Sequence, residues 1–185
     1  VYQADRIQGA SAICHTDMME SHALPGQLIL GNDSHTDTLG VLNCFAIGKG
    51  AIDLAGAIAY DKMIITVPET IRINLNGKLS RGVTTKDFML SFGSNKELKT
   101  DRIGSGRVFE FGGQALDEIP FDEQLKLTNM SIEILGFTGI IEPNNQMINF
   151  LMTKRGLSKE KINSLIVTSD KNAKYSHIFN IDLSK

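Results

Sequence analysis

The chain has 185 residues, 42% hydrophobic and 22% charged, with 19 basic against 21 acidic side chains and a formal net charge of −2. That length buries roughly two-thirds of the unfolded surface, enough for one α/β unit or two small ones. The charge balance excludes the clustered Lys/Arg footprint of a nucleic-acid surface, and no apolar run reaches bilayer length. Neither nucleic acid nor membrane is therefore expected as a partner. The opening VYQADRIQG has no basic or hydrophobic region of a signal peptide, so a cytoplasmic setting is expected. Val rather than Met at position 1 suits an excised segment of a longer gene product.

Cys14 and Cys44 form no C-x-x-C pair and signal neither a disulfide nor a zinc site, so each reads as a buried or half-buried free thiol. Leu28, Ile29 and Leu30 read as a short buried strand between Gly26 and Gly31. Asn32, Asp33, Ser34, His35 and Thr36 fall at its carboxyl end, the edge at which α/β sheets bind ligands. The same five residues also suit an Asx or Ser/Thr turn that merely caps the next helix. Leu39 to Ile47 and Ala51 to Tyr60 read as Gly-rich turns with helix, and Met63 to Val67 as a second strand, punctuated by Pro68. Gly48-Lys49-Gly50 matches no phosphate-loop spacing and is read as close packing.

Beyond Pro68 the text becomes more charged, which marks a candidate boundary. Thr70 to Leu79 alternates like a half-exposed strand, with Asn76-Gly77 as a hairpin-type turn. Thr84 and Asp87 form a capping box that opens a helix through Phe92. Lys96 to Gly106 reads as a polar loop, Arg107 to Phe111 as a strand, and Phe121 to Leu135 as a helix stopped by Gly136. A helix from Asn144 to Arg155, a short one capped by Ser158 and a strand from His177 to Leu183 follow. The fold class is α/β, with mixed or parallel sheets flanked by helices.

Asn129 and Glu133 stand four apart in the expected helix and project from one face, where they could serve one site or form a solvated surface. A carboxylate within reach of an imidazole orients it and raises its basicity, which links this pair to the His35 cluster. His15 taken alone reads as a structural histidine, and His22 and His177 as surface or structural.

Taken in order, ICHTDMMESHALPGQLILGNDSHT, FAIGKGAIDLAGAIA, VPETIRINLNGKLSRGVTTKDFML, GRVFEFGGQAL and KLTNMSIEILGFTGIIEP resemble the large-subunit catalytic region of the aconitase and isopropylmalate dehydratase superfamily. The most specific parts are the PG-x5-NDSHT and NM-x2-E blocks, and VPETIRINLNGKL and GVTTKDFML are closer to isopropylmalate dehydratase and homoaconitase. Two departures stand out: Thr16, where relatives commonly carry Gln, and Thr38, where mitochondrial-type aconitases carry Asn. The resemblance implies aconitase-like α/β/α layers, with residues 1–68 as the latter part of a first domain and 69–185 as a second, smaller one. Loss of the earlier half of the first domain should leave apolar surface uncovered.

The resemblance further implies an iron-sulfur hydro-lyase that dehydrates and rehydrates a hydroxy di- or tricarboxylic acid, of the 3-isopropylmalate dehydratase type that serves leucine biosynthesis. Aconitase or homoaconitase, or a non-catalytic assembly or regulatory module, are the alternatives. Asp33, Ser34 and His35 would contact substrate, Glu133 would pair with His35, Asn129 would lie near a [4Fe-4S] cluster, and His15 would join the acid/base network. The cluster's thiolate ligands belong to C-T-N and C-x-x-C segments absent from this chain, so no metal ligand is expected in it. The implied partners are that cluster-binding region and a swivelling domain or small subunit. The chain alone is expected to hold no cluster and turn over no substrate.

Overall fold

The computed structural model describes residues 13–185; the opening VYQADRIQGASA lies outside them. Helix α1 (Cys14–Ser21) leads to β1 (Leu28–Gly31), a 3-10 segment (Ser34–Leu42), β2 (Phe45–Gly48) and α2 (Ala51–Tyr60). Then come β3 (Thr70–Asn76), α3 (Thr85–Gly93), the single turn α4 (Lys96–Lys99), β4 (Val108–Gly112), α5 (Ala115–Glu118) and α6 (Phe121–Asn129). A 3-10 turn (Ile132–Ile134), β5 (Thr138–Ile141), α7 (Asn145–Thr153), α8 (Lys159–Asn163) and β6 (His177–Asp182) close the order. Among the described residues no helix is long and apolar enough to cross a membrane.

Strands β3 to β6 form one fully parallel sheet in the order β5-β4-β3-β6. Alternation in TIRINLN puts Ile71, Ile73 and Leu75 on one face, and the register sets Ile71 beside Phe109 and Ile73 beside Phe111 and Phe179. Helix α3 covers this face, with Phe92 edge-on to Phe179 at 5.1 Å between ring centres, and Leu127, Met147 and Leu151 join the same core. The opposite face carries Arg72, whose guanidinium donates to Glu110 at 2.5 Å and Glu142 at 2.6 Å. The capping box forms as read: Thr84 Oγ1 accepts from the Asp87 amide, and the Thr84 amide donates to the Asp87 carboxylate at 2.8 Å.

Three local readings are corrected. Met63 to Val67 is no strand; these residues have no pairing partner, and Ile64 is 98% exposed. Asn76-Gly77 is not a hairpin turn, because β3 pairs only with parallel neighbours and the chain leaves Gly77 for a helical crossover. The helix expected through Leu135 ends at Asn129. Ser131 donates back to the Leu127 carbonyl, Leu135 takes a left-handed conformation with φ 70°, and the Gly136 backbone lies so close to Phe109 that a Cβ would clash at 2.7 Å.

Strands β1 and β2 form a separate parallel pair, from Leu28 beside Phe45 to Gly31 beside Gly48. Two polar bonds fasten this pair to the larger sheet: Thr138 Oγ1 donates to the Ala46 carbonyl at 2.6 Å, and Asn43 Nδ2 to the Ile141 carbonyl at 3.2 Å. The 3-10 segment packs on β5 and α6, where the Gly40 backbone abuts the Gly139 carbonyl and leaves no room for a side chain. Helix α2 fully buries none of its ten residues; Leu54 and Ala57 are half-buried, and Ile52 is 88% exposed.

Candidate active site

Strand β1 delivers the chain to Asp33, which caps the 3-10 segment: its Oδ1 accepts from the His35 amide at 2.7 Å, and its carbonyl accepts from Thr36 Oγ1 at 2.6 Å. The turn reading of this cluster is therefore correct as local structure. It does not exhaust the cluster. A kink at His35 (φ −85°, ψ 18°) throws the imidazole out of the helical path, and its Nε2 meets Glu133 Oε1 at 3.0 Å. With Glu133 accepting from Nε2–H, the tautomer assigned by this bonding leaves Nδ1 free to accept. That nitrogen faces Ser34 Oγ at 3.3 Å and Asp33 Oδ1 at 3.7 Å.

Glu133 lies in the 3-10 turn after α6, and Asn129 is the last residue of α6, so they do not share a helix face as the spacing suggested. Asn129 instead supports His35 from beneath. Its Nδ2 donates to Thr38 Oγ1 at 2.8 Å, and Thr38 Oγ1 donates to the His35 carbonyl at 2.7 Å. Thr128 adds a donation from Oγ1 to the Thr38 carbonyl at 3.1 Å. This relay through Thr38 was not foreseen; a threonine three residues after a histidine carries no mark of it in the sequence.

His15, from the first turn of α1, comes to the opposite side of Asp33, with Nδ1 4.0 Å from Asp33 Oδ1. Its side chain is 15% exposed, and Nδ1 is buried without a hydrogen-bond partner. Burial lowers the imidazole's pKa below its ordinary value, Asp33 offsets part of this, and His35 adds to the lowering, so His15 is neutral at pH 7. His15 and Cys14 line a cleft of about 700 Å³ whose walls come from β1 (Leu30) and α2 (Ala57, Ile58). All six sequence-derived candidates therefore meet: Asp33, Ser34 and His35 at the centre, Glu133 and His15 flanking, Asn129 behind.

Asp37 was missed. It is 2% exposed and neither carboxylate oxygen completes a hydrogen bond. Burial pushes its pKa up to about 8; the backbones of Ile132 and Thr38 offset part of this, while the charges of Glu133 and Asp33 reinforce it. An aspartate amid polar neighbours looks solvated in sequence, and only the packing of its segment on β5 and α6 buries it.

An iron-sulfur cluster of the cubane type needs a set of cysteine thiolates. The sequence has two cysteines, and Cys44 is buried, with its thiol donating to the Leu24 carbonyl at 3.1 Å and its pKa pushed up to about 12 by burial. Cys14 is exposed, at the start of α1, rather than buried or half-buried as its sequence context suggested, and alone it does not make such a donor set, so the residues present do not fit the cluster.

The chain is 39% identical over 178 residues to a 3-isopropylmalate dehydratase large subunit of Glarea lozoyensis, covering 96% of this chain and 20% of that protein. A 3-isopropylmalate dehydratase large subunit of Pyrococcus furiosus is 39% identical over 166 residues, 88% of this chain and 36% of the relative. The methanogen homoaconitase large subunit of Methanocaldococcus jannaschii is 36% identical over 181 residues, 96% of this chain and 42% of the relative. The chain thus spans between a fifth and about two fifths of the relatives it matches. Since the aconitase family model (aconitate hydratase) matches residues 2–185, the chain belongs to the aconitase family.

Proposed function

We propose that this chain is part of an iron-sulfur hydro-lyase large subunit of the 3-isopropylmalate dehydratase type, which interconverts hydroxy acids by dehydration and rehydration. The reading is supported by the names of its relatives and, above all, by the 3.0 Å contact between His35 and Glu133 across 98 positions of sequence. The [4Fe-4S] cluster of such an enzyme is placed on thiolates outside these 185 residues, and a small subunit or swivelling domain completes the site. The compartment proposed is the cytoplasm.

Within this chain, Asp33, Ser34 and His35 contact the substrate, with the Ser34 hydroxyl offered to one of its carboxylate or hydroxyl groups. Glu133 keeps the proton on Nε2 of His35, so Nδ1 is the atom that takes or gives a proton. His15, neutral beside Asp33, is the second station for that proton.

The test is turnover of isopropylmalate, citrate and homocitrate by the intact large subunit with its small partner. Isopropylmalate is the expected substrate, and His35→Asn or Glu133→Gln should lower kcat by about a hundredfold while the thermal melt stays in place. Unchanged turnover in both variants would remove the pair from the chemistry. A non-catalytic module that kept the fold is the alternative, and the two cysteines of this chain are compatible with it; no turnover of any of the three acids by the intact, cluster-reconstituted protein would select it.

A further inference from the structure

Cys14 has no part in the chemistry above, yet it lies beside two groups that do. A potential ligand atom from each of Cys14, His15 and Asp33 lies within 4.8 Å of the other two. We propose that these three side chains form a mononuclear site for a borderline-soft divalent metal ion of the zinc class, separate from the iron-sulfur cluster. The donor set is thiolate, imidazole and carboxylate, which zinc accepts in tetrahedral sites, and three protein ligands leave one position open toward the cleft.

One further feature points to an ion. His15 Nδ1 is buried with no hydrogen-bond partner, although the Asp33 carboxylate faces it at 4.0 Å. That separation is too long for a hydrogen bond and only a little wider than the edge of a zinc tetrahedron, roughly 3.3 Å for ligands at about 2.0–2.1 Å. The side chains are also held at different depths. Asp33 is fixed by the His35 amide and the His15 side chain is 15% exposed, while Cys14 stands exposed at the helix start beside them. Chain spacing gave no hint of zinc, because the third ligand arrives from β1 across space. An ion here would hold His15 and Asp33 and withdraw both from proton transfer.

The experiment is Co²⁺ and Zn²⁺ binding to the reduced, chelator-treated 185-residue chain, read by the thiolate-to-cobalt absorption band and by competition with a zinc dye. One equivalent of Co²⁺ should give the band, and Zn²⁺ should displace it. Cys14→Ser should abolish the band, and both Cys14→Ser and Asp33→Asn should weaken zinc about tenfold or more. Cys44→Ser and Glu133→Gln should bind as the parent does. The proposal is overturned if the band is absent, if it is lost with Cys44→Ser, or if zinc affinity survives Cys14→Ser and falls with Glu133→Gln, which would put the ion on the His35–Glu133 pair. None of these readouts depends on hydro-lyase turnover, so either reading can fail without the other.

Discussion

Strand β3 buries Ile71, Ile73 and Leu75 completely, whereas helix α2, written AIDLAGAIAY, fully buries none of its ten residues. The two segments draw on similar apolar side chains. The difference lies in their neighbours: β3 has a parallel strand on each side and α3 across its face, while α2 stands off β1 across a cleft of about 700 Å³. Parallel strands are stable where both faces are covered, and the β1–β2 pair meets that condition only toward β5 and the 3-10 segment. The candidate site sits on the seam between the covered and uncovered regions.

The largest effect should come from the covered region. Phe109→Ala removes a ring that is 0% exposed between Phe92 and Phe111, and should cost about 3–5 kcal/mol in chemical denaturation. A loss below about 1 kcal/mol would mean that the four-stranded core is no better packed than the α2 face.

An intermediate effect is expected at the seam. Asp37 has a folded-state pKa of about 8 against an ordinary 3.8, so between these values the folded chain holds a proton that the unfolded chain has released. Stability from this group is complete below pH 3.8 and is lost as pH rises toward about 8. Asp37→Asn should match the parent near pH 4 and exceed it by about 2–4 kcal/mol at pH 8. A gap between the two melting curves that does not widen with pH would show that Asp37 is paired or hydrated in solution.

The smallest effect belongs to the uncovered region. Ile52→Ser and Ile64→Ser, at side chains 88% and 98% exposed, should each change stability by no more than about 0.5 kcal/mol while lowering self-association in sedimentation. A destabilisation above about 2 kcal/mol would place these residues in a core and erase the contrast with β3.

Legibility follows the range of the interactions. TIRINLN declares β3 because the two-residue period is a property of the segment itself, and Thr84 with Asp87 declares a helix start because the capping box closes over three residues. Strand β5 passed unread: TGII is four residues long with a glycine inside, and its register on β4 supplies what the text does not. The early end of α6 was hidden for a similar reason, since Ile132 and Ile134 continue an apolar pattern that the contact of Gly136 with Phe109 interrupts.

The sequence by itself determined the α/β class and the polar cluster that turns the chain at the end of β1, because caps, periods and side-chain types act within a few residues. Tertiary structure alone decided that His35 reaches Glu133 98 positions away, that Asp37 loses its solvent, and that Asp33 comes to rest beside Cys14 and His15. Contacts over such separations depend on how whole elements pack, and no local preference encodes which groups that packing brings together or strips of water.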